Sequence, residues 1–531
     1  MHGLVSVALV GLGWWMAAGA LPEQSDLPPA YHDEYSYLLQ AETFHAGQLW
    51  FPVAEQFPQL FDQMHVLNEP DLDPPRGRFA SRYFPGPGLW LNLGLWWGSP
   101  WLAQQLAHGL IAAGVFWIGR ELADQGTGLL AAMLVACAPG LLIFSNLLLA
   151  HQPTLVGLVL FYWMFLRTRR TGALWSAALA GSGLAGALWC RPMTAAGASL
   201  LSGVAFGWWW LTGQGVWLTS ATVAKQAASG DSRSSFPQRS RFAVALAGPL
   251  LIGIAGLMLY QRELTGALSL SPYQLYTDRY TPRHVYGFNN VVRGEQRLGP
   301  KVIEGYDRWA ENLTGELALQ NVGRRLVSSW RWTLGIVPLA GILLVWLLVP
   351  RVGAGGRWRE IWGGVIGLHL VHVPYWFTGI MDWHYVYETA PLWLLLAAQV
   401  LVVLLRTASC RLWLLSGVVL AVTMNLWTCP PWWPAPLDVA AAELRYPREI
   451  YAAFRSEVEQ RRQGRPVLVL VTPDPADRSI DFVTNSPDLR GPVLIGRWRG
   501  ESLAEIRQAF SERLLLHFDA SSRQFLPLPR P

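Results

Sequence analysis

A polytopic α-helical membrane protein with a small α/β domain at its C-terminal end is the fold class this sequence predicts, and three observations predict it. Charged residues fill only 15% of the 531 positions and hydrophobic ones 52%, with a mean hydropathy of +0.24, whereas soluble domains carry about 25% charge. Apolar runs recur along most of the chain, so a secreted enzyme on one anchor is excluded. After residue 430 the pattern changes to amphipathic helix and short strands.

Eleven spans are expected, near 3–20, 101–119, 127–146, 148–166, 173–190, 194–212, 243–260, 333–350, 361–379, 386–405 and 411–428. Several lie near the ~17 residues needed to cross a ~30 Å hydrocarbon core. The first also reads as a signal peptide, since Ala18-Gly19-Ala20 resembles a cleavage site, but no Lys or Arg precedes it. Arg120; Arg167, Arg169 and Arg170; Lys225, Arg233, Arg239 and Arg241; Arg351, Arg357 and Arg359; and Arg406 and Arg411 fall in loops on one side. The positive-inside rule makes that side cytoplasmic, which leaves loops 21–100 and 261–332 and the tail outside. The chain divides into a transmembrane part, 1–429, and an external α/β part, 430–531, with a helix at 446–462, strands at 467–471, 493–495 and 514–518, and a helix at 503–510. A polar stretch at 221–240 reads as a disordered cytoplasmic connector.

Several chemistries are excluded at this stage. The net charge of +5 and pI of about 9.1 come from arginines in short loops, a footprint of topology and not of nucleic-acid binding. Four scattered cysteines build neither a disulfide framework nor a thiolate metal site. No GxGxxG or GxxxxGK[ST] pattern places phosphates on a helix N-terminus, which argues against a soluble sugar-nucleotide site.

The informative polar groups cluster on the external side. Tyr31-His32-Asp33-Glu34-Tyr35 opens a helical pattern that stops at Gly47, with Asp33 in the N-cap position and Gly47 as a C′ glycine. This helix is suited to lie along the bilayer surface. Two readings of Asp33 stand: a helix cap only, or a carboxylate beside low-dielectric material, poised as general base or metal ligand. Further on, Ser81-Arg82-Tyr83-Phe84-Pro85-Gly86-Pro87-Gly88 makes a rigid turn before an apolar helix. Arg82 and Tyr83 are thereby held at the interface, either to grip a lipid phosphate or merely to snorkel.

These features resemble the polytopic GT-C glycosyltransferases of the bacterial dolichyl-phosphate-mannose mannosyltransferase and aminoarabinose-transferase type. The resemblance lies in the Asp33-Glu34 pair after the first span, the Tyr83-x-Pro85-x-Pro87 turn, and external Arg-Pro and Tyr-rich span ends, over roughly residues 1–430. It implies a bacterial inner-membrane enzyme whose first-loop acid, carried over to Asp33 with Glu34 as neighbour, is the key acid. It also implies a donor sugar on a polyprenyl monophosphate. Aminoarabinose transferases usually show an acid and a lysine before the turn; here Ser81 and Arg82 stand there, leaving Glu69, Asp71 and Asp73 as substitute metal-ligand carboxylates. No metal ligand set is complete, and a divalent cation is the one cofactor left open.

Other candidates lie in later segments. Arg191, before Pro192, stands close to hydrocarbon and is a donor-phosphate candidate by position. In the second external loop, Tyr273 and Tyr276 are placed to stack on sugar faces and Arg283 and His284 to meet phosphate, although an interfacial aromatic belt explains the tyrosines equally well. His384, Tyr387 and Glu388 share one helical turn, and Glu388 needs a partner such as Arg191 or Arg82, in a substrate site or in a structural ion pair.

The expected activity is transfer of a sugar from a polyprenyl-phosphate donor to an extracytoplasmic acceptor hydroxyl on a glycan, lipid or protein, with inversion. Two rivals are a transporter or flippase of lipid-linked sugars and a non-catalytic envelope-assembly subunit. The first requires ionisable groups near span centres, whereas here they gather at one face. The tail is expected to have no catalytic part, its Asn485-Ser486-Pro487-Asp488-Leu489 and Asp519 reading as turn residues; capping the site or selecting the acceptor are the roles left to it, and deleting it need not abolish the chemistry.

Overall fold

The computed structural model describes residues 2–213, 236–349, 352, 357–407 and 409–528. Its outward surface is strongly apolar, with Ile252 74% and Leu347 81% exposed, as contact with lipid requires. α1 (His2–Ala18) leads to α2 (His32–His45), an antiparallel hairpin of β1 (Val66–Glu69) and β2 (Arg78–Ser81), and α3 (Pro85–Trp96). Next come α4 (Pro100–Leu122), α5 (Gln125–Ala136), α6 (Pro139–Phe144), α7 (His151–Thr171), α8 (Leu174–Cys190), α9 (Pro192–Thr212) and α10 (Phe236–Thr265). The second long loop carries α11 (Pro272–Tyr280), α12 (Asn290–Glu295), α13 (Glu304–Asp307) and α14 (Gly315–Arg331). It is followed by α15 (Ile336–Leu348), α16 (Arg359–Val371), α17 (Ala390–Thr407) and α18 (Arg411–Leu426).

Prolines at N1, where a missing N–H costs nothing, start α3, α4, α6 and α9. Among the described residues three helical segments are long and apolar enough to cross a membrane, Pro100–Leu122, Phe236–Thr265 and Ile380–Thr407, with a fourth if α14 and α15, bent by 99°, form one span. α1, α5, α8 and α18 are apolar but shorter. Two expected spans are interrupted. The one at 127–146 breaks between α5 and α6, because Pro139 cannot continue the hydrogen-bond ladder. The one at 361–379 ends at Val371, and the buried Arg325 guanidinium satisfies the carbonyls beyond it, bonding His372 O at 2.5 Å and Tyr375 O and Phe377 O at 2.9 Å each. The expected connector at 221–240 lies mostly outside the described residues, as do Lys225, Arg233 and Arg351; residues 236–240 already belong to α10.

α2 does not lie on a lipid surface. Tyr35, Tyr37, Leu39 and Ala41 are buried, and the helix packs against α3 and β2. The tail holds α19 (Pro436–Arg462), β3 (Val467–Thr472), β4 (Val493–Arg497), α20 (Leu503–Ala509), β5 (Leu514–Asp519) and β6 (Gln524–Leu526). Its sheet runs β4-β3-β5-β6, with β3 parallel to both β4 and β5 and β6 antiparallel to β5. α19 ties this part to the helical body, for Gln24 Nε2 donates to Ala441 O at 2.8 Å and Arg448 Nη2 to Asn146 O at 2.7 Å.

Close packing of α1 on α4 depends on glycine. A Cβ on Gly109 would stand 2.3 Å from Val10 O, and one on Gly13 would stand 2.7 Å from Gly109 Cα, so the backbones touch as small-residue helix pairs do. Gly109→Ala is expected to destabilise the protein by about 1–3 kcal/mol, read as a lowered melting temperature in detergent; an unchanged melt contradicts this packing.

Candidate active site

The site grows from the first turn of α2. Tyr31, not Asp33, is the N-cap residue, and Glu34 performs the capping. One Glu34 oxygen accepts from Ala30 N at 2.8 Å and Tyr31 N at 3.1 Å, and the other from Leu148 N at 2.8 Å. Both oxygens are thus occupied by backbone in a fully buried position, and burial raises the Glu34 pKa against the opposing pull of Arg448. The expectation that Glu34 neighbours Asp33 in catalysis is corrected: it staples the start of α2 to the loop before α7. Asp33, relieved of capping, points the other way.

What Asp33 meets is set by the hairpin. Val66 pairs with Ser81 and Glu69 with Arg78, and the ladder extends one step further, Arg82 N donating to His65 O at 3.0 Å. Ser36, one turn after Asp33, donates to His65 O at 2.6 Å and lies 2.8 Å from Ser81 Oγ. This clamp seats the open end of the hairpin on α2. His65 takes a left-handed backbone, φ +61°, and its N–H donates to Tyr276 Oη at 2.9 Å. Tyr83 Oη donates to Asp33 Oδ1, while His32 Nδ1 and His65 Nε2 lie 3.0 and 3.5 Å from Oδ2.

Burial alone would raise the Asp33 pKa, yet the adjacent imidazoles of His65 and His32 hold the carboxyl well below its usual range, so it is ionised at neutral pH. Burial and the Arg82 guanidinium push His65 down to about 3, which keeps it neutral. Arg82 is 7% exposed and rests on aromatic faces, 4.4 Å from the Tyr273 ring, 4.8 Å from Tyr276 and 5.2 Å from Tyr83. Among the described residues no carboxylate pairs with it, and its Nε has no partner. A buried cation held only by ring faces is costly unless an anion comes to it.

A second group stands across Tyr37, whose ring stacks on Tyr83 at 4.0 Å. Arg191 Nη1 bonds Glu388 Oε1 at 2.9 Å and His384 O at 3.0 Å. The His384 ring packs edge-on against His151 at 4.3 Å, and both Asp33 and Arg191 act electrostatically on Tyr385 and His384. The two groups therefore border one region.

Other candidates are placed elsewhere. Arg283 is consumed by Asp307 at 2.5 Å and Glu295 at 3.5 Å, so it offers no free charge to a phosphate. His284 stacks on Tyr306 at 4.8 Å and bonds its carbonyl through Nε2 at 2.9 Å. Tyr276 is fully buried between Arg82 and Tyr280, with the two tyrosine rings 4.6 Å apart, and has no face left for a sugar. Tyr387, also fully buried, stacks on Phe144 at 4.4 Å. Glu69 is bound by Arg279 and by Lys301 at 3.4 Å at the far end of β1, and with Asp71 and Asp73 in the hairpin loop it contributes no ligand beside Asp33.

No protein-family model matches the chain, and no curated protein sequence matches it. Among solved structures, ArnT from Cupriavidus metallidurans bound to undecaprenyl phosphate superposes with a TM-score of 0.52 at 13% identity, over 98% of this chain and 90% of that one. The chain has the GT-C glycosyltransferase fold. Apo ArnT gives a TM-score of 0.48 at 12% identity, covering 96% of this chain and 88% of that one. The Archaeoglobus fulgidus oligosaccharyltransferase gives 0.41 at 13% identity, covering 88% and 62%.

In this GT-C fold the C-terminal part grips the strand-entry segment of the site. Asp481, itself buried, accepts from Met64 N at 2.9 Å and from Arg497 Nη2 at 2.8 Å on both oxygens. Arg497 Nε donates to Asp62 O at 3.1 Å, Arg499 pairs with Asp62 Oδ2 at 3.1 Å, and Asn485 N donates to Gln63 Oε1 at 3.2 Å. Residues 62–64, immediately before His65, are thus held from the tail.

Sequence reasoning passed over His32, His65 and Tyr306. His32 adjoins Asp33 and offered a signal, whereas His65 reaches the site only through the hairpin.

Two outcomes are expected. Asp481→Asn, which unbalances a buried ion pair, is expected to cost about 3–5 kcal/mol and to loosen residues 62–65, seen as faster amide exchange there; unchanged exchange contradicts the clamp. His284 is held down to about 4 by burial, which outweighs its bond to Tyr306 O. Between that value and about 6.5 the unfolded chain binds a proton that the folded one does not, so stability falls as pH falls through this window. His284→Gln is expected to flatten that loss in melts from pH 7 to 5, and an unaltered slope contradicts it.

Proposed function

We propose that the protein is a membrane glycosyltransferase that moves a sugar from a polyprenyl-phosphate donor to an acceptor hydroxyl on the extracytoplasmic side of a bacterial inner membrane, with inversion. The observation that carries this reading is the buried Arg82 guanidinium, without a carboxylate partner among the described residues, resting on the ring of Tyr83, whose hydroxyl donates to the ionised Asp33. A guanidinium grips phosphate oxygens bidentately, and a phosphate anion supplies the charge that Arg82 lacks. An apolar groove of about 540 Å³, lined by Gly86, Leu89, Leu93, Val156, Leu160 and Trp189 among others, begins three residues beyond Tyr83 and suits an isoprenoid chain. The ArnT structure with undecaprenyl phosphate supports the same donor class.

In this reading the acceptor oxygen attacks the anomeric carbon while the bond to the phosphate oxygen breaks, its electron pair leaving with the polyprenyl phosphate. Arg82 stabilises the charge growing on that phosphate, and Arg191, partly spent on Glu388, contributes at longer range. Asp33 orients the acceptor hydroxyl by accepting its hydrogen bond, and because a carboxyl held so acidic is a poor resting place for the proton, the acceptor's proton ends on the departing phosphate oxygen. Tyr273, whose ring covers Arg82, faces donor phosphate and sugar. The division at 429/430 separates this donor site from a tail that braces it.

Arg82→Gln is expected to weaken binding of undecaprenyl monophosphate to the detergent-solubilised protein by about tenfold or more, the worth of a charge-assisted hydrogen bond. Asp33→Asn is expected to retain that binding and to lose transfer from an undecaprenyl-phosphate-linked sugar. Unweakened binding by Arg82→Gln overturns the donor assignment.

A further inference from the structure

We propose that the cavity between α14, α15, α18 and α19 binds one phospholipid whose headgroup carries both a phosphate and a primary ammonium, the chemistry of phosphatidylethanolamine. The cavity encloses about 1030 Å³. Its walls are the end of α14, the start of α15, the turn at 379–382, the second half of α18 and the first turns of α19. It shares no lining residue with the groove assigned to the isoprenoid chain.

Polar groups in this cavity lack partners. Asn425 is 5% exposed and Ser328 8%, and both line the cavity. Neither side chain makes a hydrogen bond to another described residue. Buried amides and hydroxyls are normally bonded, so these two point to a ligand that brings polar atoms of its own. The charges show the same deficit. Arg331 rests on the Trp332 ring at 5.8 Å and, like Asp382 and Glu443, makes no ion pair among the described residues. Thr378 Oγ1 donates to one Asp382 oxygen, and the other carries no bond. Desolvation and the Asp382 carboxylate raise the Glu443 pKa, as expected for two acids that border one space without a counter-charge.

The lining is also graded. From Asn425 back to Gly417, α18 runs about 12 Å, and its cavity residues change from polar to apolar through Met424, Ala421 and Leu420. Leu420 is 58% exposed and Val337 82%, and a Cβ on Gly417 would meet nothing within 4 Å. This end therefore opens sideways onto lipid. An amphiphile lying along α18 meets every one of these demands: acyl chains along Leu420 and Val337, ester carbonyls at Asn425 and Ser328, phosphate on Arg331, and ammonium shared by Asp382 and Glu443. A quaternary choline has no N–H to give the carboxylates, and a glycerol headgroup has no positive charge. The bound lipid would tie the α14–α15 elbow to α19, the helix from which Arg448 reaches Asn146 O. Binding does not depend on the proposed transfer reaction.

The test uses the full-length protein, delipidated in detergent, and native mass spectrometry with palmitoyl-oleoyl phosphatidylethanolamine, phosphatidylcholine and phosphatidylglycerol as probes. Phosphatidylethanolamine is expected to give a saturable one-to-one adduct, held about tenfold more tightly than the other two. Arg331→Gln and Asp382→Asn, each checked by thermal melt, are expected to weaken it by about tenfold, the worth of a charge-assisted hydrogen bond. Asp382 has a left-handed backbone, φ +54°, so Glu443→Gln serves if Asp382→Asn does not fold. Equal retention of the three lipids, tighter retention of phosphatidylglycerol, or an ethanolamine-lipid adduct unchanged in the arginine and acid variants overturns the proposal. Arg331→Gln is expected to leave undecaprenyl monophosphate binding unchanged. A parallel loss of that binding would merge the two lipid sites and overturn a separate one, whereas failure of undecaprenyl monophosphate to bind at all, with the ethanolamine-lipid adduct intact, counts against the donor reading alone.

Discussion

The clamp between Ser36 and the open end of the β1–β2 hairpin is the constraint on which the site depends. One hydroxyl bonds both His65 O and Ser81 Oγ, and residues immediately flanking the hairpin then fall opposite the first turn of α2. Asp33 lies three residues before Ser36, so one helical turn converts this contact into a meeting of Asp33 with His65 and Tyr83. The hairpin is short, and only its pairing register decides that His65 stands opposite Arg82. A slip by one residue would turn both away.

Four arginines of the external loops, helix ends and tail are spent on carboxylates, and Arg82 is not. Arg283 is paired with Asp307 and Glu295, Arg497 with Asp481, Arg279 with Glu69, and Arg191 with Glu388. These pairs hold loops and helices in place. Arg82 alone among these arginines meets only aromatic rings, and burial leaves its charge without a carboxylate beside it. The same economy separates neighbours in sequence, for Glu34 is saturated by three backbone N–H groups while Asp33 keeps its charge directed at the site.

The C-terminal part belongs mechanically to this arrangement. Its parallel strands bring Arg497 beside Asp481, and the pair fastens residues 62 and 64 just before the strained His65. Strain of this kind persists only where surrounding contacts over-determine it. The C-terminal part therefore helps to hold the segment that enters His65.

The sequence by itself determined the helical membrane class, most helix boundaries and the α/β pattern of the tail. Those features are written locally, in apolar periodicity, in Pro85, Pro100 and Pro192 at helix starts, and in Gly47 at a helix end, where its φ of +72° needs no Cβ. Tertiary structure alone decided that Glu34 is a staple and Asp33 is not, that Arg283 is spent and Arg82 free, that Pro139 and the Arg325 contacts interrupt two apparent spans, and that His65 joins a site 32 residues from Asp33. Each of these turns on which partner reaches a polar atom first across the fold. Hydrophobic patterns carry no record of such pairings, because the free energy of a buried charge is set by its neighbours in space and not by those in sequence.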